Sequence, residues 1–307
     1  MTPARLPQPA RVRVRVPATT SNLGAGFDAV GMALALYNDL EVDVAPGRPG
    51  CVVRVEGEGS GTLPADATNE AARVLGLSDT CSVSIRQVNR IPVARGLGSS
   101  AAARLAAVLA RRLLLRGKED DDQVLGLVQA LEGHPDNVVP ALLGGAHLCL
   151  QDGGKVLHVP LRAPTDLAAV VCVPAFELST EKARRILPAR VPRADAVFTS
   201  ARVGLLAYAL ERRRYELLKT AMQDVLHQPY RRRLVPGMSE VIEAALAAGA
   251  FGAALSGAGP SIFALAEPGR ATRVGRAMRR AFAGKRVDSR ALVLAIEGKG
   301  ASAERIL

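Results

Sequence analysis

Aromatic residues are scarce in this sequence: they make up 3% of its 307 residues, and tryptophan is absent. Alanine, valine and leucine must therefore build the core. The densest basic clusters, at residues 212–214 and 231–233, are not interleaved with aromatic side chains, which single-strand binders use to stack on bases. Although the formal net charge of +11 favours anionic partners, we do not expect nucleic acid to be the ligand.

Cysteine is also rare. The four cysteines, Cys51, Cys81, Cys149 and Cys172, lie far apart and form no CxxC motif. This spacing indicates neither a zinc cluster nor a redox pair. We expect buried, reduced thiols, with two disulfides as the open alternative.

Uninterrupted apolar segments of membrane-spanning length are lacking as well. The N-terminal residues MTPARLPQPARVRVRV do not contain the apolar segment of a signal peptide. The uncharged run at residues 244–266 is broken by four glycines and a proline, which predicts a helix and strands rather than a membrane span. We therefore expect a cytoplasmic protein without a membrane partner.

The rest of the composition, 49% hydrophobic and 22% charged, is typical of a folded protein. The length predicts two domains or one large one. Predicted strands and helices are mixed without strict alternation, which favours an α+β fold over a doubly wound sheet. A boundary near Arg162 would divide the chain into domains at residues 1–162 and 163–307. Strands are predicted at 11–16, 40–44, 82–88, 146–150, 156–159, 167–173, 252–255, 262–265 and 290–296, and helices at 69–76, 99–116, 120–131, 181–187, 194–211, 215–225, 239–248 and 270–282.

A glycine-rich loop, IPVARGLGSSAAA at residues 91–103, precedes a strong helix. Gly96 and Gly98 let the backbone approach a ligand closely, and the helix that Ser99 opens offers free N–H groups to an anion. A Walker A loop would need GK[ST] after the second glycine and is excluded. A dinucleotide fingerprint matches formally, but the loop is long and contains Pro92. On this stretch alone, a phosphate site and a ligand-free helix cap stay equally open.

Two further segments are also glycine-rich and polar, PATTSNLGAGFDAVG at residues 17–31 and LSGAGPSI at residues 255–262. Both lie between predicted strands and helices, and three such loops exceed what turns require. The three motifs, in this order, resemble those of the GHMP kinases. The first motif, EGHPDN at 132–137 and STEKARRILP at 179–188 are similar to the branch that phosphorylates homoserine. The resemblance implies two α+β domains with the active site in the cleft between them.

For the nucleotide, the resemblance implies that the central loop wraps the phosphates of ATP. Ser100 and Glu132 would coordinate Mg²⁺, which prefers oxygen ligands shared between protein and phosphates. Asn69 would lie beside the adenine. A surface position for Glu132 and a helix-cap role for Asn69 are the alternatives. The implied ATP-binding residues are Asn69, Pro92, Val93, Ala94, Arg95, Gly96, Leu97, Gly98, Ser99, Ser100, Ala101 and Ala102.

For the second substrate, the resemblance implies that Asp28 holds the hydroxyl or amino group of homoserine. Arg184 and Arg231 would bind its carboxylate, because a guanidinium pairs with a carboxylate through two parallel hydrogen bonds. Many relatives have an aspartate as base where this chain has Asn137, so Asn137 and Asp28 are the catalytic candidates and no strong base is expected. The implied substrate-binding residues are Asn22, Asp28, His134, Asn137, Thr180, Arg184, Arg231 and Gly257.

The expected activity is therefore ATP-dependent phosphorylation of the hydroxyl of L-homoserine, a step of threonine biosynthesis. The transition state of phosphoryl transfer is loose, so positioning and charge neutralisation matter more than covalent help. Another small-molecule GHMP kinase, such as a mevalonate-like enzyme, or a non-catalytic ligand sensor of this fold are the alternatives. ATP and homoserine are the expected partners, and a homodimer stays open.

Overall fold

The computed structural model describes residues 9–60, 76 and 81–307. Except for Gly76, the predicted helix at 69–76 lies outside these residues, and so does the adenine-side candidate Asn69. The described strands are β1 (Ala10–Asn22), β2 (Gly26–Ala45), β3 (Gly50–Gly57), β4 (Ser82–Asn89), β5 (Ala146–Asp152), β6 (Lys155–Leu161), β7 (Ala168–Pro174), β8 (Gly252–Leu255), β9 (Ile262–Ala266), β10 (Ser289–Ala295) and β11 (Ser302–Arg305). The described α-helices are α1 (Ser99–Leu114), α2 (Asp121–Glu132), α3 (Val138–Leu143), α4 (Thr180–Arg185), α5 (Arg193–Glu211), α6 (Leu218–Ala221), α7 (Gln228–Arg231), α8 (Met238–Ala247) and α9 (Pro268–Gly284).

The first sheet runs in the order β11-β1-β2-β4-β3, and the β5–β6 hairpin pairs with the N-terminal part of β2. The alternating sequence of β1 explains its placement, because its three valines are buried and its three leading arginines face solvent. These arginines meet carboxylates at directly opposite positions of β2. The ion pairs join Arg11 to Asp43, Arg13 to Glu41 and Arg15 to Asp39. Since the arginine side chains are about half exposed, solvent screens these ion pairs and each contributes little to stability.

The second sheet runs in the order β10-β7-β9-β8 and is built entirely from residues after 163. Its central strand β7 is buried along its whole length. Alternate residues of β7 belong to two different cores: Val171 packs with the core of the first sheet, and Val170 packs with α8 and α9. A strand covered on both faces reads as a continuous apolar run, as the sequence predicts for residues 167–173.

The two sheets share the larger core. It extends from the valines of β1 and β2 through α1 to the apolar face of β7 and the residues at 206–222. The C-terminal strand β11 returns to the first sheet and pairs with β1. The N-terminal and C-terminal parts of the chain are therefore joined by packing and by strand pairing.

The predicted α+β class is confirmed, and most predicted elements are present with shifted ends. The helix predicted at 215–225 is wrong in extent: residues Tyr215–Leu217 form a 3-10 turn, and α6 ends at Ala221. The Asp224 carboxylate accepts the backbone N–H groups that follow it and starts a new helix, α7. The first glycine-rich motif is a β-hairpin rather than a loop between a strand and a helix. The sequence prediction missed β3, α3, α7 and β11.

Two expectations about cysteines and membranes can be compared with the described residues. All four cysteines are free, and three of them are buried, whereas Cys51 is half-buried rather than buried. No helix in the described ranges has the length and apolar composition needed to cross a membrane.

The turn between β1 and β2 yields a stability prediction. Gly24 has a φ of 81°, and an added Cβ would lie 1.9 Å from the backbone oxygen of Met222. We expect Gly24→Ala to lower the free energy of unfolding by more than about 2 kcal/mol, from left-handed strain plus overlap with rigid backbone. Urea unfolding monitored by circular dichroism measures the effect.

Gly126, in the middle of α2, provides the matched control. It is exposed, and an added Cβ would meet no atom within 4 Å. Gly126→Ala should therefore stabilise the protein by about 0.5–1 kcal/mol, because glycine is a poor helix former. Equal unfolding midpoints for Gly24→Ala and the wild type would contradict the geometry of this turn.

Candidate active site

A cavity of about 250 Å³ lies where the β1–β2 hairpin, the loop before α1 and the segments before α3 and α4 meet. Every described residue that the sequence predicts for the site lines this cavity, except Ala101 and Ala102. The side chains of these two alanines are fully buried in the larger core. The three glycine-rich motifs, EGHPDN and the start of STEKARRILP therefore converge on one place.

Direct hydrogen bonds hold the three glycine-rich motifs together. They run from Thr19 N to Leu97 O (3.1 Å), from Ser256 Oγ to Gly96 O (2.6 Å), between Thr20 Oγ1 and Ser256 Oγ (2.9 Å) and from Gly257 N to Ser21 O (3.1 Å). Gly96 has a φ of 71°, and a Cβ there would lie 2.1 Å from the backbone oxygen of Ser256. The central loop can therefore take its course only with glycine at this position.

The N-terminus of α1 faces the cavity. Gly98 is its N-cap, with a φ of 70°, and the first turn carries no acidic residue. Within the described residues, no side chain caps this helix. An added Cβ at Gly98 would lie 2.0 Å from Thr19 Oγ1. The uncapped N–H groups and the positive end of the helix dipole suit a bound anion such as phosphate.

Arg95 differs from the other residues of the loop. Its guanidinium donates to the carbonyl oxygens of Val93 (2.9 Å), Pro174 (3.0 Å) and Ala175 (2.6 Å). It also lies 3.3 Å from the carboxylate of Glu177. Arg95 thus links the loop to the end of β7 through hydrogen bonds. These contacts position the loop, and the sequence alone does not indicate them.

Ser100 and Glu132 are in contact near the N-terminus of α1. The Ser100 hydroxyl donates to Glu132 Oε1 at 2.7 Å, and Arg104 pairs with Oε2. The Glu132 side chain is 8% exposed, so the alternative of a surface helix residue is wrong. The pair presents a hydroxyl and a carboxylate beside the anion site, and these are donor types that suit Mg²⁺.

Asp28 and Arg184 form a two-pronged ion pair that also lines the cavity. The Arg184 nitrogens donate to the two Asp28 oxygens at 2.7 and 2.8 Å. This contact raises the pKa of Arg184 above its usual value. The Asp28 backbone is held by Asn22, whose Oδ1 accepts its N–H at 2.9 Å and whose Nδ2 donates to Gly257 O at 2.8 Å.

Arg231 is buried at the same end of the cavity, with 1% of its surface exposed. Desolvation and the nearby Arg184 charge lower its pKa to about 10, so it remains protonated at neutral pH. The guanidinium carbons of Arg231 and Arg184 lie 5.1 and 5.7 Å from the centre of the Phe27 ring. Two cations therefore gather around one aromatic side chain.

Asn137 has its amide fully engaged. Its Oδ1 accepts from Thr19 Oγ1 at 2.8 Å, and its Nδ2 donates to Ser21 Oγ at 3.1 Å. Beside it, the buried Asp136 lies 3.1 Å from His134 Nδ1. Burial lowers the pKa of His134, but the hydrogen bond and the charge of Asp136 outweigh burial, so the pKa is raised above 6.5.

Several site residues were missed by the sequence analysis. Gln87 and Asn89 line the cavity from the end of β4, and Gln87 Nε2 donates to Asn89 Oδ1 at 2.7 Å. Phe27 was missed although it precedes Asp28, and His227 was missed although it lies four residues before Arg231. Adjacency to a predicted site residue is the one sequence signal that could have found the last two. Thr180, which was predicted, is the first residue of α4 and is exposed at the cavity rim.

The His134–Asp136 contact yields a titration prediction. We expect the imidazole of His134 to titrate above pH 6.5 when followed by NMR. Asp136→Asn removes the opposing charge and leaves the desolvation that burial imposes, so the pKa should fall below 6.5. The resonance of His158, another histidine of this chain, serves as the internal control. A His134 pKa that does not respond to Asp136→Asn would contradict the assignment.

Comparison with known proteins agrees with this geometry. The family model for the GHMP kinases N terminal domain matches residues 64–145, and that for GHMP kinases C terminal matches residues 206–284. A homoserine kinase of Desulfitobacterium hafniense is 41% identical over 298 residues, which cover 95% of this chain and 99% of the relative. A homoserine kinase of Moorella thermoacetica is 44% identical over 280 residues, which cover 89% of this chain and 93% of the relative.

Solved structures of similar proteins have the same fold. The crystal structure of homoserine kinase from Cytophaga hutchinsonii aligns with a TM-score of 0.85 at 32% identity, covering 96% of this chain and 97% of that one. A crystal structure of mevalonate kinase shares the fold, with a TM-score of 0.69 at 14% identity and coverage of 94% and 99%. From the two family models and from relatives above 40% identity along nearly their whole length, the chain belongs to the GHMP kinase family, within its homoserine kinase branch.

Proposed function

We propose that this chain transfers the γ-phosphoryl group of ATP to the hydroxyl of L-homoserine, which yields ADP and O-phospho-L-homoserine. One observation carries the proposal: an uncapped helix N-terminus and a pair of arginines that share the Phe27 ring face the same cavity. The first suits a polyphosphate, and the second suits an amino-acid carboxylate. The names of the relatives at 41% and 44% identity support the same reaction. The product would serve threonine biosynthesis.

In the proposed complex, the phosphates of ATP lie against the backbone of Gly96, Leu97 and Gly98 and at the N-terminus of α1. Mg²⁺ would be held by Ser100 and Glu132, whose oxygens are 2.7 Å apart. In the described residues, no group of three or more His, Cys, Asp or Glu side chains could hold a metal ion, so phosphate and water oxygens would complete its shell. When bound, Mg²⁺ neutralises the charge of the phosphates. Arg104 holds the second oxygen of Glu132 and so fixes the direction of the first.

Homoserine would lie between Asp28 and the two arginines. Its ammonium or hydroxyl would bind the Asp28 carboxylate, and its carboxylate would bind the guanidinium groups of Arg184 and Arg231. The present Asp28–Arg184 pair is about one-third exposed at both ends, which allows a substrate to insert. A zwitterion supplies one charge to each partner, so no unpaired charge is left in the cavity.

The hydroxyl oxygen of homoserine attacks the γ-phosphorus while the bond to the β–γ bridging oxygen breaks. Asn137 cannot take the proton, because an amide is not a base and its oxygen already accepts from Thr19. A loose transition state requires little removal of this proton before bond cleavage. The proton therefore leaves late, to phosphate. The residues of the site act by positioning and charge neutralisation.

A coupled assay of ADP release with homoserine, mevalonate and galactose tests the proposal. Homoserine should be phosphorylated with a kcat/KM far above that of the other two. Preference for mevalonate or galactose, or ADP release that no acceptor stimulates, would overturn it. The cytoplasmic location and the homodimer stay predictions.

The arginine pair yields a kinetic prediction. Because a hydrogen bond to a charged group contributes about 1.5–3 kcal/mol, Arg184→Ala or Arg231→Ala should lower kcat/KM for homoserine by roughly 10- to 150-fold. Lysine at either position should restore only part of this loss, since an ammonium lacks the two-pronged geometry of Arg184 and the planar guanidinium with which Arg231 reaches the carbonyls of Ala183 and Gly257. Steady-state kinetics with both substrates varied measures the effect, and the KM for ATP should change little.

Neighbouring arginines provide matched controls for this experiment. Arg185 follows Arg184 on α4 and is 74% exposed, and Arg232 follows Arg231 and is exposed. Arg185→Ala and Arg232→Ala should leave the homoserine kinetics near those of the wild type. If the Arg184 and Arg231 variants behave like these controls, neither arginine binds the substrate carboxylate.

The Ser100–Glu132 pair yields a prediction about the metal. Glu132→Gln should raise the Mg²⁺ concentration required for half-maximal activity and lower kcat, because it removes a negative charge from the ion's ligand shell. Ser100→Ala should do so more weakly, since it removes a neutral ligand. An Mg²⁺ titration of activity measures both effects, with the exposed Glu240→Gln as control. A Glu132→Gln titration that matches the wild type would exclude Glu132 as a ligand.

A further inference from the structure

Behind Arg231 lies a histidine that the proposed reaction does not use. His227 is fully buried, and its ring stacks on Phe27 with centres 4.9 Å apart and planes 20° apart. Its Nε2 lies 2.8 Å from Gly24 O, and its Nδ1 lies 3.2 Å from Nη1 of Arg231. The imidazole thus touches two residues that surround the proposed carboxylate site.

Resting on the proposed function, we infer that His227 is a positioning residue that fixes the guanidinium of Arg231 for the carboxylate of the amino-acid substrate. Three acceptors hold this guanidinium from the protein side. Nε donates to Ala183 O at 3.2 Å, and Nη1 is shared between Gly257 O at 3.1 Å and His227. Among the described residues, Nη2 has no acceptor, and Arg231 lines the cavity. Nη2 is therefore the nitrogen of this guanidinium that is available to a ligand.

The tautomer of His227 follows from its two contacts. Gly24 O can only accept, so Nε2 carries the proton and donates. Nδ1 then has a free lone pair and accepts from Arg231. This arrangement requires a neutral ring, because an imidazolium would present a second donor to the guanidinium and repel it.

The surroundings of His227 keep the ring neutral. Burial, which has the largest effect, and the adjacent Arg231 charge lower the pKa of His227, whereas Asp224, the Gly24 carbonyl and Asp28 raise it, and the net result is a pKa below its usual value. Asp224 Oδ2 lies 3.4 Å from Nε2, but that oxygen is already engaged by the backbone N–H groups of His227 and Gln228 at 3.0 and 2.7 Å. Asp224 thereby fixes the start of α7, and with it the positions of both His227 and Arg231.

Phe27 connects this pair to the second arginine. Both guanidinium carbons lie within 5.7 Å of the ring centre, and His227 stacks against the same ring. A displacement of His227 would therefore disturb Arg231 directly and Arg184 through the ring. The predicted consequence is a loss specific to substrates that carry a carboxylate.

The test compares two compounds in wild-type and variant enzymes. L-homoserine carries a hydroxyl, an ammonium and a carboxylate, whereas 3-aminopropan-1-ol lacks the carboxylate. His227→Phe keeps the aromatic stack but removes both hydrogen bonds, and should lower kcat/KM for homoserine about tenfold. The KM for ATP and the inhibition constant of 3-aminopropan-1-ol should change less than about twofold, since neither contact involves Arg231.

His227→Asn serves as the conservative variant, because its Oδ1 can accept from Arg231 much as Nδ1 does. It should recover part of the homoserine kinetics that His227→Phe loses. His147→Phe is the matched control for loss of a buried imidazole, since His147 is also buried and its Nε2 lies 2.9 Å from Gly144 O outside the cavity lining. His147→Phe should change kcat/KM for homoserine, the KM for ATP and the inhibition constant of 3-aminopropan-1-ol by the same factor.

The outcomes separate two kinds of failure. A wild-type enzyme that does not phosphorylate homoserine overturns the proposed function and, with it, the basis of this inference. If the wild type is active but His227→Phe weakens homoserine, ATP and 3-aminopropan-1-ol alike, or if His227→Asn recovers nothing, the positioning role is wrong and His227 is only structural.

Discussion

The cavity depends on one interaction above all, the contact between the carbonyl oxygen of Gly96 and the hydroxyl of Ser256. This hydrogen bond of 2.6 Å joins the loop before α1 to the loop between β8 and β9, and Thr20 on the hairpin contacts the same hydroxyl. A side chain at Gly96 would overlap the backbone of Ser256. The three motifs can therefore approach closely enough to enclose a site only because the central one is glycine-rich, so these glycines are a packing requirement whatever ligand the cavity binds.

Charge placement follows from this enclosure. The positive end of the α1 dipole suits an anion, whereas two full cations, Arg184 and Arg231, lie around the Phe27 ring. Burying Arg231 opposes its protonation, and the carbonyls of Ala183 and Gly257 compensate by accepting its N–H groups. Arg184 avoids the cost of desolvation because it remains partly exposed and pairs with Asp28. The charges of the two arginines are thus stabilised by different means.

Sequence patterns predicted the parts of this structure that are local. Alternation in β1, the apolar run of β7 and the three aspartates that open α2 are each encoded within a few residues. The first motif was misjudged because its glycines indicated a loop, although β1 continues through the buried Thr19, Thr20 and Ser21. The site residues came from resemblance. Phe27 and His227 lie near predicted site residues in the sequence, but their residue types alone gave no signal, since their contacts arise only where the segment at α7 meets the hairpin.

The internal Asp28–Arg184 pair constrains which ligands the cavity can accept. A carboxylate alone would release Asp28 as an unpaired anion, and an amine alone would release Arg184 as an unpaired cation. Either release weakens binding relative to a zwitterion, because a partly buried charge without a partner is unfavourable. A zwitterion replaces the Asp28–Arg184 ion pair by two new pairs, one between its ammonium and Asp28 and one between its carboxylate and Arg184. No charge is then left without a partner. In the proposed complex, the arrangement therefore selects an amino acid over mevalonate, which has a carboxylate but no ammonium, before any contact with the hydroxyl is considered.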